Sequence, residues 1–212
     1  DSWFSKDGLS WEKGSSKSSF PLAKIASHEG KLWSISEGPE NKWSKTHIST
    51  STDGINWNIQ YETGWRLNQQ GKSAILGFGD QLWLNSREHF VRIRENGKWQ
   101  KHKPKGKIGC DSGTATYFKQ AIWFSCNDRF LHSSKDGIEW SKEWDDLPLR
   151  AVQLITFKGK LYLFGYESYR NTVHRLFVSS DGFDWSEVSD PLMVRLTPDS
   201  KFVTYQDQLW LI

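Results

Sequence analysis

The chain has 212 residues, with 13 Trp, 12 Phe and 6 Tyr against one Met, and 28 Lys and Arg against 25 Asp and Glu leave a net charge of +3. That length fits one domain or one compact repeat array; no apolar run reaches the ~18 residues that span a bilayer, and the basic excess is too weak for a dedicated nucleic-acid binder. Six His and two Cys, nowhere spaced as paired ligands, argue against a zinc cluster, so no metal and no cofactor is expected.

From the first residues, Ser2 to Ser5 read as a strand that runs into Ser5-Lys6-Asp7-Gly8-Leu9-Ser10-Trp11. Asp-Gly accepts the positive φ angles of a tight turn and the upstream Ser can bond the turn backbone, so the phrase predicts a hairpin. It returns as Ser51-Thr52-Asp53-Gly54-Ile55-Asn56-Trp57, in shortened form as Glu95-Asn96-Gly97-Lys98-Trp99, then as Ser134-Lys135-Asp136-Gly137-Ile138-Glu139-Trp140 and Ser179-Ser180-Asp181-Gly182-Phe183-Asp184-Trp185. Its glycines, at 8, 54, 97, 137 and 182, keep the ~40–50 residue period of a propeller blade. In phase with it runs a second hairpin phrase: Gly30-Lys31-Leu32-Trp33, Asp80-Gln81-Leu82-Trp83, Gln120-Ala121-Ile122-Trp123, Gly159-Lys160-Leu161-Tyr162 and Asp207-Gln208-Leu209-Trp210.

Each repeat thus predicts four short antiparallel strands, A (innermost) to D. The chain opens in the third strand of a repeat and stops after the second, at Gln208 to Ile212, so four repeats are complete and the two ends supply halves of a fifth. The expected fold is all-β, a single domain over 1–212: a five-bladed β-propeller with four antiparallel strands per blade, closed by N- and C-terminal strands sharing one blade.

The Ser-x-Asp-Gly-x-x-Trp phrase resembles the Asp-box repeat of sialidase-like propellers. Together with Gly-Lys-Leu-Trp it is similar to bacterial sialidase-like and kelch-like repeat proteins, and five blades resemble the tachylectin architecture. The resemblance implies a propeller and carries over no catalytic residue, because Phe20-Pro21-Leu22-Ala23 stands where a sialidase would show Phe-Arg-Ile-Pro.

Repetition separates scaffold from site. The aromatic columns Trp11, Trp57, Trp99, Trp140, Trp185 and Trp33, Trp83, Trp123, Tyr162, Trp210 are expected to pack between blades, and the Asp-Gly acids to lock turns. Meander topology puts A–B and C–D turns on one face and all long, variable B–C and D–A loops on the other, where binding usually resides. On that face Trp43, Trp65 and Trp144 break the repeat as candidate stacking or anchoring surfaces. Arg66, Arg150 and Arg195 approach the starts of inner strands as candidate anion clamps, with pairing to nearby acids as the alternative. Lys24 and Lys201 fall in a polar inner-strand column with Ala74, Thr114 and Gln153, an expected channel lining.

Cys110 and Cys126 bracket the A–B hairpin of the third repeat with 15 residues between them. They read as a disulfide, for which loop entropy gives about 3 kcal/mol, or as two separately buried thiols. The bridge and the propeller type favour an extracytoplasmic setting: secreted, periplasmic or cell-surface. Asp1-Ser2-Trp3 does not begin a signal peptide, which leaves open one removed before this numbering. The expected function is a noncatalytic binding module for a glycan or a surface partner protein, as a monomer or part of a larger assembly. The alternatives are a propeller glycoside hydrolase using paired carboxylates among Glu37, Glu62, Glu88, Asp111, Asp128, Glu167 and Asp199, and a structural scaffold.

Overall fold

Tight turns set the register of the blade hairpins among the described residues. At Asn96-Gly97 both φ angles are positive, 48° and 79°, the mirror-image turn that matches strand twist, and Glu95 and Lys98 face each other across it. In the longer phrase the acid does the locking. The Asp136 carboxylate accepts the backbone N–H groups of Ile138 and Glu139, each at 2.8 Å, and the Ser134 hydroxyl at 3.0 Å. Asp181 repeats the pattern with Phe183, Asp184 and Ser179, and Asp53 with Asn56 and Ser51.

The computed structural model describes residues 2–4, 12–14, 24–37, 46–53, 56–63, 74–86, 90–106, 113–126, 129–144, 147–167, 173–188, 202–205 and 208–211, and among them every regular element is a strand. A first hairpin joins β1 (Ser2–Phe4) to β2 (Glu12–Gly14). Blade 1 follows as β3 (Lys24–His28), β4 (Lys31–Glu37), β5 (Thr46–Ser51) and β6 (Asn58–Thr63), and blade 2 as β7 (Ile75–Phe78), β8 (Gln81–Ser86), β9 (Phe90–Glu95) and β10 (Lys98–His102). Blade 3 comprises β11 (Gly113–Phe118), β12 (Ala121–Cys126), β13 (Leu131–Ser134) and β14 (Ser141–Trp144); blade 4 comprises β15 (Arg150–Phe157), β16 (Lys160–Tyr166), β17 (His174–Ser179) and β18 (Trp185–Glu187). A last hairpin pairs β19 (Phe202–Tyr205) with β20 (Gln208–Leu211).

All pairings between the named strands are antiparallel, as the hairpin phrases predict. The count differs from the expected five: among the described residues there are four four-stranded blades and two two-stranded hairpins. The physical reason is that a blade is defined by backbone hydrogen bonds between its strands, whereas the repeat period counts only hairpins.

The chain forms two compact units, Asp1–His102 and Lys103–Ile212. In the first, Trp33, Ile35 and Ile48 of blade 1 bury against Ile75, Leu82 and Leu84 of blade 2. The inner strands approach so closely that a Cβ on Gly77 would lie 2.8 Å from the Ser27 carbonyl oxygen. The Arg94 guanidinium of blade 2 covers the Trp33 ring at 4.6 Å.

In the second unit, Phe118, Trp123 and Leu131 of blade 3 join Leu154, Leu161 and Leu163 of blade 4 in one cluster, with Leu147 and Leu149 from the connection between them. Here the cover over the repeat Trp is aromatic: Phe183 meets Trp123 edge-on at 5.9 Å. Trp33 and Trp123 make the same bond across their own hairpin, each indole N–H donating to the backbone carbonyl five residues earlier, at 3.2 and 3.0 Å.

The two aromatic columns part company. Trp33, Trp83 and Trp123 are buried, whereas Trp57, Trp99 and Trp185 of the Asp-Gly column are half-exposed and Trp140 alone among its described members is buried. Two β-bulges correct another expectation. Ile48 pairs with Tyr61 but Ser49 with Ile59, and Leu131 pairs with Trp144 but His132 with Lys142. Each bulge skips one residue and so turns the next side chain onto the buried face. Trp144 is therefore a strand residue and the counterpart of Tyr61, both packed on their blade cores, and not the loop aromatic that breaks the repeat.

Candidate functional site

In blade 4 the B–C end gathers the start of β15, the end of β16, the start of β17 and the end of β18. Glu167, just beyond β16, meets the Arg175 guanidinium at 3.1 Å, and the other terminal nitrogen of Arg175 lies 3.6 Å from Glu187. From the β12–β13 connection of blade 3, Arg129 donates to the Glu167 backbone carbonyl at 2.9 Å, while its own carbonyl accepts the Leu147 N–H at 2.9 Å. One arginine thus spans two carboxylates and a second clamps the backbone beneath one of them. With Arg175 36% and Glu167 37% exposed, such pairs contribute only ~0–1 kcal/mol each. Their effect is positional: an exposed carboxylate is held in one place on a loop end. Beneath it His174 is buried, with Phe164 at 5.4 Å and Tyr166 at 5.6 Å.

Arg150 opens β15 opposite Tyr166 at this same end, half-buried. Of the other nominated residues, Trp43, Trp65, Arg66, Arg195, Lys201 and Cys110, and the acids Glu88, Asp111, Asp128 and Asp199, lie outside the described residues. Lys24 opens β3 opposite Ile35, and Cys126 closes β12 opposite Gly113. In unit 2 one member of the inner-strand column, Thr114, bonds the neighbouring blade, as does Thr156. Thr114 Oγ1 accepts the Leu154 N–H at 3.0 Å and Thr156 donates to the Tyr117 carbonyl at 2.9 Å, so these hydroxyls tie β11 to β15. In blade 2, Ala74 is buried and exchanges hydrogen bonds with Asn85.

Sequence reasoning nominated Glu167 within a group of acids but missed Arg129, Arg175 and His174. Nothing local marks them, because their roles come from strands and loops brought together by the fold.

No protein-family model matches the chain, and no curated protein matches it; the sialidase-like and kelch-like resemblance thus gains no family match. Solved structures do match. The Niastella koreensis GH74 enzyme has 13% identity and a TM-score of 0.57 over 78% of this chain, which spans only 30% of that enzyme's length. An α-L-arabinofuranosidase of GH43 from Clostridium thermocellum has 11% identity and a TM-score of 0.54, over 89% of this chain and 80% of that one. YCF48 bound to D1 peptide has 14% identity and a TM-score of 0.53, over 96% of this chain and 65% of that one. At these identities the likeness shows the fold alone, a β-propeller with antiparallel four-stranded blades.

Proposed function

We propose that the chain acts on glycans at the B–C loop end, as a glycoside hydrolase of propeller type. The supporting observation is the company its fold keeps: glycoside hydrolases of GH74 and GH43 share it, and the loop end of blade 4 presents Glu167 in a fixed, exposed position. Glycosidases need two carboxylates about 5–9.5 Å apart, one as acid and one as base or nucleophile. Glu167, held in place by Arg175, is the nominated base or nucleophile. Asp128, which precedes Arg129 in sequence and lies outside the described residues, is the nominated acid. A chromogenic glycoside panel tests this: at least one substrate should be turned over, and Glu167→Gln and Asp128→Asn should each lower kcat at least ~100-fold, while Glu187→Gln should change it little.

A second reading, binding without catalysis, is favoured by the YCF48 structure, which holds a peptide. A glycan or peptide retained intact, with no turnover across the panel, would decide for it. Under either reading the protein is proposed to work outside the cytoplasm, with Cys110 and Cys126 bridged.

A further inference from the structure

The turn end of blade 4 carries a cavity that the loop-end reading does not use. It encloses about 320 Å³ and is lined by Lys160, Val178, Ser180, Asp184, Trp185 and Ser186, at the small end of the ~300–1,000 Å³ typical of ligand pockets. The repeat supplies its own control. In blade 3, Glu139 precedes the repeat Trp and pairs with Lys105 at 2.8 Å, and Trp140 donates its indole N–H to the Gly137 carbonyl at 3.1 Å. In blade 1, Asn56 at the same position bonds the Asp53 carboxylate at 2.7 Å.

Blade 4 leaves the corresponding groups open. Asp184 and Lys160 have no side-chain hydrogen bond or ion pair among the described residues, and the Trp185 indole nitrogen is buried without an acceptor among them. The indole also packs on the blade 3–blade 4 cluster, so its position is fixed before anything binds. The nitrogen itself is covered, so what the indole offers the cavity is ring surface.

We propose that this cavity binds a single neutral pyranose. The indole offers an apolar surface for the C–H face of the ring. The Asp184 carboxylate can accept from two adjacent hydroxyls, and the Lys160 ammonium can donate to sugar oxygens. An anionic ligand would be opposed by Asp184 and a cationic one by Lys160, so the balanced pair selects a neutral polyol. The volume suits one ring rather than an oligosaccharide. This site is separate from the proposed hydrolytic end and does not depend on it.

Titration of the full chain with methyl pyranosides of the gluco, galacto, manno and xylo series, followed by ¹H–¹⁵N spectra, tests the proposal. The Trp185 indole signal, assigned by its disappearance in Trp185→Phe, and the amides of 180–186 should shift saturably with at least one sugar. Asp184→Ala should weaken that binding about tenfold with an unchanged melting temperature. Trp185→Phe, which keeps a ring but offers a smaller apolar surface, should fold and bind several-fold more weakly. No saturable shift with any sugar, shifts confined to Arg129, Glu167 and Arg175, or an Asp184→Ala protein that titrates like the parent would each overturn it. Glycosidase turnover reads the opposite end of the blade, so its absence would leave this result standing.

Discussion

Trp140 and Trp144, four residues apart, separate two degrees of burial that the sequence does not distinguish. Trp140 is buried, with its N–H satisfied, and Trp144 is half-buried on the same blade. Trp140→Ala should cost ~3–5 kcal/mol and Trp144→Ala ~1–2 kcal/mol, measured by chemical denaturation; equal losses would contradict the burial order. Asp136 makes a second residue-scale prediction. Burial pushes its carboxyl up, but the N–H bonds from Glu139 and Ile138 and the Ser134 hydroxyl outweigh that and leave it below the ordinary carboxylate range. The folded turn therefore binds its proton less readily than the unfolded chain. Its contribution is complete above the unfolded value of ~3.9 and is lost as pH falls from there toward the folded value. Melting temperature should accordingly fall less steeply between about pH 5 and pH 3 in Asp136→Asn than in the parent. The turn was legible in Ser-x-Asp-Gly because every partner sits within a few residues. The place of Trp144 was not, because Ser141-Lys142-Glu143-Trp144 reads as a polar loop until the bulge turns its last side chain inward.

At the scale of elements, strands are joined where side chains are small. Gly77 admits the Ser27 carbonyl at the contact between inner strands β3 and β7, and Gly77→Ala should destabilise by ~1–3 kcal/mol through overpacking, again by chemical denaturation. The inferred Cys110–Cys126 link belongs here too: denatured, unreduced protein should show no titratable thiol, and two reactive thiols would remove the bridge. Strand order and hairpin register were readable from the two phrases, since each turn type needs particular residues at fixed offsets. The Arg175 bridge between Glu167 and Glu187 was not readable. It depends on which ends of β16, β17 and β18 come together, and that is a property of the sheet.

For the whole molecule, the period revealed repeated hairpins but not the number of complete blades, because a blade is made by hydrogen bonds between strands and a period counts only turns. The near-neutral charge, +3 over 212 residues, predicts that ligand binding depends little on ionic strength: raising salt from about 50 to 200 mM should change a sugar's affinity less than about twofold, where a nucleic-acid ligand with several phosphate contacts would lose orders of magnitude. One interlock bears on how such a chain is made. Gly182, at φ 95°, lies so close to the Trp123 ring that any Cβ there would collide with it, and Phe183 caps the same indole. The ring thus waits for a turn encoded about sixty residues downstream. During vectorial synthesis, at ≈ 5–20 residues per second, blade 3 emerges with the Trp123 ring lacking this cover for several seconds. In that interval the ring is open to chaperones and to self-association, and a ribosome stalled between the two blades would release blade 3 in that state.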